Sequence, residues 1–202
     1  MDIYSKFDDK KAVVFELDHV LYPEKDYLLQ VYYLFAQFIE YTAQKNAGAI
    51  LEFMQKEFIQ NGELGLFKKT AETFDLNEKY QHNFDLLHLT ARLPLKLLLY
   101  KNMLEFLQYL VVERKKIFIV TTGHPEQQLN KIKQMEWNGL EQYLTVFFAD
   151  ELQLPKADIF KNLLINNNLS PGEVLIVGEN NLDETQSKLA NLTYIKSSEI
   201  YK

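Results

Sequence analysis

The sequence contains no cysteine, which excludes a disulfide framework, a thiol nucleophile and a thiolate metal site. Its four histidines, at positions 19, 82, 88 and 124, are too scattered to form a His-rich metal motif. Positive charge is in deficit. The 28 acids against 22 bases leave a net charge of −6, which argues against broad contact with a nucleic-acid backbone. A small phosphorylated ligand needs only a local positive field, so that class stays open. Long uncharged apolar runs are missing too. The nearest candidate, residues 93–112, carries Lys96, Lys101 and Glu105, so it reads as an amphipathic or buried helix and not as a membrane span. The polar opening Met1-Asp2-Ile3-Tyr4-Ser5-Lys6 has no apolar h-region, so no secretory leader is expected. A cytoplasmic, soluble protein that binds neither nucleic acid nor membrane is the expectation.

Apolar material is plentiful. Of 202 residues 47% are hydrophobic, with twelve Tyr and fourteen Phe, enough for a core that needs no covalent staple. Three short runs read as buried parallel strands: Ala12-Val13-Val14-Phe15, Ile117-Phe118-Ile119-Val120 and Val174-Leu175-Ile176-Val177. A weaker fourth is Val146-Phe147-Phe148-Ala149. Helical patterns over residues 101–115, 125–134 and 157–166 alternate with them, which predicts an α/β fold built on a doubly wound parallel sheet. Between Asp26 and about Ala91 only helical periodicity is found, as in Leu28, Val31, Tyr32, Phe35 and Ile39, with breaks at Asn61-Gly62 and Asp75-Leu76-Asn77. That stretch is too long for a crossover, so a helical domain over 23–91 is expected, inserted into a core domain of 1–22 and 92–202.

In an open parallel sheet, chemistry gathers at the carboxyl ends of the strands. There the sequence places Glu16 and Asp18 after the first strand, Thr121, Thr122 and Gly123 after the second, and Glu179 and Asp183 after the third. Lys156 opens the helix that precedes the third strand. Acids also cap loops and helix N-termini, so each is weak evidence alone. Converging acids with a hydroxyl and a lysine describe a site for a hard cation such as Mg²⁺ and a phosphate.

Four segments together resemble the haloacid dehalogenase superfamily, in its phosphatase-type branch with a helical cap after the first motif. Phe15-Glu16-Leu17-Asp18-His19-Val20-Leu21-Tyr22 is similar to the motif F-D-L-D-x-T-L-Y, and Ile119-Val120-Thr121-Thr122-Gly123 to I-V-T-N-G. Leu154-Pro155-Lys156-Ala157-Asp158-Ile159-Phe160 is similar to K-P-D-P-E-I-F. Leu175-Ile176-Val177-Gly178-Glu179-Asn180-Asn181-Leu182-Asp183 is similar to L-x-V-G-D-S-x-x-D. The resemblance implies a Rossmann-like core with an inserted helical cap, and a Mg²⁺-dependent phosphomonoester hydrolase ancestry. It implies catalytic roles at Glu16, Asp18, Thr121 and Lys156, and substrate contacts at Thr121, Thr122, Gly123 and His19. The metal set it implies is Glu16, Asp18, Glu179 and Asp183, and the cap is expected to exclude water and select the substrate.

Three positions depart from that pattern. Glu16 stands at the nucleophile position, where one extra methylene displaces the carboxylate by about 1 Å, and a misplacement of that size can cost about 10²-fold in rate. Leu154 stands where the family has its lysine, which leaves Lys156, two residues on, as the nearest cation. Glu179 replaces the metal-proximal Asp. These changes lead to the expectation of weakened or lost phosphatase activity. The alternative is a non-catalytic protein that binds a phosphorylated metabolite or a protein partner through the same cleft.

Overall fold

The computed structural model describes residues 7–200; the opening Met1–Lys6 and its leader expectation lie outside them. Among the described residues no helix is long and apolar enough to cross a membrane.

The β-branched run of the first strand becomes β1 (Ala12–Phe15), buried at every position. It pairs in parallel with β3 (Lys116–Thr121) on one side and β6 (Val174–Gly178) on the other. Two outer strands, β5 (Leu144–Phe148) and β7 (Thr193–Lys196), complete a five-stranded parallel sheet in the order β5-β3-β1-β6-β7. The expected doubly wound α/β sheet is therefore present. A separate two-stranded pairing joins β2 (Leu97–Leu98) to β4 (Met135–Glu136).

Strand alternation splits the core between two faces. Val14, Phe118, Val120 and Ile176 meet Ile159, Phe160 and Leu163 of helix α8 (Lys156–Asn167). On the other face, Phe106 of helix α5 (Lys101–Val112) lies 4.7 Å from the Phe7 ring and meets Phe15 edge-on at 5.9 Å. Helix α6 (Pro125–Lys133) follows β3, α7 (Ala149–Leu152) follows β5, and α9 (Asn181–Leu189) follows β6. Register fixes the functional level of the sheet. Phe15 is level with Ile119 and Val177, so the residues that follow these three partners emerge together at one edge.

The chain divides into two compact units, and the sheet belongs to the first. The second is helical: α1 (Lys25–Ala43), α2 (Ala47–Asn61), α3 (Leu66–Phe74) and α4 (Tyr80–Thr90). Asn46 caps α2 by accepting the Ala49 N–H at 2.8 Å, and Gln44 and Asp75 close α1 and α3 in the left-handed region. Its aromatic interior sets Phe84 edge-on to Phe35, ring centroids 5.0 Å apart. This unit spans Glu24–Lys96 and also takes Leu129–Gln134, more than the 23–91 expected from periodicity. The reason is local hydrogen bonding. The amides of Asn130 and Gln134 both donate to the Ala91 carbonyl at 2.9 Å, and Gln134 Oε1 accepts the Leu93 N–H.

Candidate active site

Glu16 continues β1, and its own N–H donates to the Val177 carbonyl at 3.1 Å. The residue is 8% exposed and both carboxylate oxygens are engaged. Oε1 accepts the Leu17 N–H at 2.9 Å, and Oε2 accepts from the Lys156 ammonium. The extra methylene of glutamate thus lets the carboxylate fold back onto the backbone that follows it. The buried Thr121 hydroxyl lies beside the same carboxylate and favours its charged form.

Lys156 is the first residue of α8. A cation in the first turn opposes the helix dipole, so local preference does not explain its burial. The carboxylates do: Nζ reaches both Glu16 and Asp183, the latter at 2.8 Å. The helix start is further pinned by the Ala157 N–H donating to Gln186 Oε1 at 3.1 Å. Burial alone would lower the ammonium's pKa, but the Glu16 and Asp183 charges outweigh it and hold Lys156 above its ordinary value. Burial pushes the Glu16 carboxyl up, against the pull of Lys156.

Asp183 sits in the first turn of α9, its N–H received by the Asn180 cap at 2.8 Å. Its Oδ2 is buried without a hydrogen-bond partner. That oxygen lies against Gly178, where an added Cβ would come within 2.8 Å of Asp183 Cβ and Oδ2 and 3.0 Å of the Tyr194 ring. Only glycine leaves room for Asp183 to approach this way.

The other expected site residues have different company. Asp18 is half-buried, with Oδ1 accepting the Tyr22 hydroxyl at 2.6 Å and Oδ2 the Gln128 amide at 2.8 Å. Glu179 Oε2 accepts the Ser197 hydroxyl at 2.5 Å and the Ser198 N–H at 3.3 Å. His19 is exposed and has φ 61°, a left-handed conformation for a non-glycine residue. Thr122 is exposed, and the Gly123 N–H donates to Asp150 Oδ2 at 3.2 Å. Gly123 has φ 109°, and a Cβ there would press on the Gln128 amide at 3.0 Å. Leu154 is 40% exposed.

The structure thus brings Glu16, Thr121, Lys156 and Asp183 together and gives Asp18 and Glu179 separate partners. Sequence reasoning missed Gln128, which is 2% exposed and carries nothing but its place on one face of α6. It also assigned no role to Tyr22, although its spacing of four from Asp18 is visible, or to Asp150 and Ser197.

The model for haloacid dehalogenase-like hydrolases matches residues 13–196. The chain belongs to that family. Solved structures agree on the fold. A haloacid dehalogenase-superfamily phosphatase from Thermococcus onnurineus superposes with a TM-score of 0.54 at 22% identity, over 91% of this chain and 84% of that one. L-2-haloacid dehalogenase from Xanthobacter autotrophicus, with chloropropionic acid covalently bound, gives 0.52 at 18% identity, over 92% and 76%. A dehalogenase with an intermediate complex gives 0.54 at 16%, over 94% and 85%. No curated protein matches the chain.

Enzymes of this superfamily generally use Mg²⁺. A hexacoordinate Mg²⁺ needs several oxygens around one point. Among the described residues no three His, Asp or Glu side chains are grouped to hold a metal ion. The space between Glu16 and Asp183 is bridged by an ammonium, and Glu179 is held by Ser197. As arranged, these residues do not fit the ion.

Proposed function

We propose that this member of the hydrolase family lacks phosphomonoesterase turnover, and that its reaction centre serves as a buried ionic tie between the end of β1 and the starts of α8 and α9. One observation carries this reading: Lys156 bridges Glu16 and Asp183 with all three side chains under one-tenth exposed. A carboxylate nucleophile needs an oxygen that the reacting atom can reach, and the Glu16 side chain is 9% exposed. Glu16 has one oxygen on a backbone N–H and the other on an ammonium. Asp18, the general acid and base in the resemblance, has both oxygens engaged by Tyr22 and Gln128.

Charge balance points the same way. Two carboxylates and one ammonium leave the cluster with no surplus positive charge to receive a phosphate dianion, so Lys156 neutralises its neighbours instead of a ligand. The dehalogenase neighbour makes an equal demand, because a covalently bound chloropropionic acid requires a nucleophile that substrate can reach.

The test is release of phosphate from a panel of small phosphomonoesters with Mg²⁺, and of chloride from 2-chloropropionate. It compares wild type with Glu16→Asp and with Glu16→Asp/Leu154→Lys/Glu179→Asp. The reading expects a silent wild type and phosphatase activity appearing only in the triple variant. Wild-type turnover of either substrate class that Glu16→Gln abolishes would overturn it.

A further inference from the structure

A cavity of about 350 Å³ lies between residues 90–96 and the end of α6, and every residue lining it belongs to the helical unit. We propose that it is a binding site for a small dianion, a phosphate monoester or a dicarboxylate, received by Arg92 and Lys96. Its volume is at the lower end of ordinary small-molecule sites.

Three features support it. The first is charge. Arg92 and Lys96 line the cavity and no acid does, in a chain whose net charge is −6. Among the described residues neither the Arg92 guanidinium nor the Lys96 ammonium has an ion-pair partner. Together they match two negative charges, and the planar guanidinium fork grips a carboxylate or phosphate through paired bonds.

The second is the balance of donors and acceptors in the wall. The Ala91 carbonyl accepts from the amides of both Asn130 and Gln134. Gln134 Oε1 accepts the Leu93 N–H at 2.6 Å, and Asn130 Oδ1 accepts the Gln134 amide at 2.8 Å. The amide oxygens are thus spent within the wall, whereas the cations are not. An excess of donors suits an anion and disfavours a cation.

The third is rigidity. Ala91 and Leu93 are buried, and the Leu95 N–H donates to Gln30 Oε1 at 2.8 Å. With the Leu93–Gln134 bond, this ties the segment to α1 and to the end of α6, and Pro94 between them fixes its own φ. A wall held in place beforehand loses little freedom when a ligand arrives. Leu93, Pro94 and Leu95 also give the cavity an apolar side for the carbon body of the ligand.

The experiment titrates phenyl phosphate and succinate separately into the full chain by isothermal calorimetry, without added metal. It is run at about pH 8, where a phosphate monoester carries its second charge. Wild type is expected to bind one molecule per chain of at least one probe, and the tighter of the two names the head group. Arg92→Gln and Lys96→Gln are each expected to weaken binding about ten-fold, and the double variant to abolish it. Both side chains are exposed, so these variants are expected to melt with wild type. Lys56→Gln/Lys68→Gln removes two exposed charges of the same unit that do not line the cavity, and is expected to bind as wild type does. No binding of either probe by wild type overturns the proposal. So does binding that survives the Arg92→Gln/Lys96→Gln variant, an equal loss in Lys56→Gln/Lys68→Gln, or equal binding of uncharged benzyl alcohol. No residue of the cavity belongs to the Lys156 cluster, so these outcomes do not depend on whether the chain turns over phosphomonoesters.

Discussion

Lys156 Nζ lies 2.8 Å from Asp183 Oδ1, with 5% and 4% of the two side chains exposed. Because Lys156 also reaches Glu16, one ammonium joins the carboxyl end of the central strand to the first turns of two helices. Breaking such a group by removing one member is costly, since the others stay buried without compensation. Lys156→Met should lose about 3–5 kcal/mol in urea unfolding. Glu16→Gln/Lys156→Met/Asp183→Asn, which removes every charge, should recover most of that loss. A triple variant no more stable than the single one would show that the residues do not act as a unit.

Gly178 provides a steric test of the same arrangement. Its added Cβ would meet Asp183 Cβ at 2.8 Å and the Tyr194 ring at 3.0 Å. Gly178→Ala is expected to cost about 1–3 kcal/mol, the usual range for overpacking. Gly172 is the control, because a Cβ there meets nothing within 4 Å. Gly172→Ala should change stability by less than about 0.5 kcal/mol. Equal losses at both positions would remove the steric argument.

Most of the sheet was legible in the sequence because β1, β3 and β6 are buried on both faces and read as unbroken apolar runs. β7 was not. Its Thr193-Tyr194-Ile195-Lys196 is an edge strand, half-buried and mixed in polarity, so it lacks that signal. The helical insertion was visible from its 3.6-residue period, but its claim on Leu129–Gln134 depends on hydrogen bonds to Ala91 and Leu93, which pattern does not encode. At the site, motif order located Glu16, Thr121 and Asp183. Whether Lys156 turned inward depended on the two carboxylates it would find there, a tertiary fact. The diversion of Glu179 to Ser197 lay equally out of reach, because the partner is 18 residues away on the turn after β7.

A pH dependence is expected from the helical unit. Burial pushes the His88 imidazole down to about 4, against the pull of Asp85. Its ring stands edge-on to Phe84, centroids 4.6 Å apart, and Nε2 is buried without a partner. The folded state therefore binds fewer protons than the unfolded state between pH 4 and the ordinary imidazole value of 6.5. The His88 contribution is complete above the unfolded value and is lost as pH falls toward 4. Allowing for its remaining solvent contact, it is worth about 2 kcal/mol. Urea unfolding across this range should show a steeper acid loss in wild type than in His88→Phe. Parallel profiles would contradict the assignment.

Tyr22 is fully buried and donates to Asp18 at 2.6 Å. Tyr22→Phe keeps the ring and removes a hydrogen bond to a carboxylate, for an expected loss of about 1–2 kcal/mol. In the background of Asp18→Ala the same substitution should cost little. A double-mutant cycle in urea measures the coupling, and a value near zero would show that the contact does not hold Asp18.

Glu16, engaged by Lys156 and the Leu17 N–H, is expected not to serve as a nucleophile. The most direct test is intact-mass analysis after mixing the full chain with acetyl phosphate and Mg²⁺ and quenching in acid. No added phosphoryl group is expected on wild type. A chain heavier by one phosphoryl group, modified at Glu16 and unmodified in Glu16→Gln, would show that Glu16 is a working nucleophile.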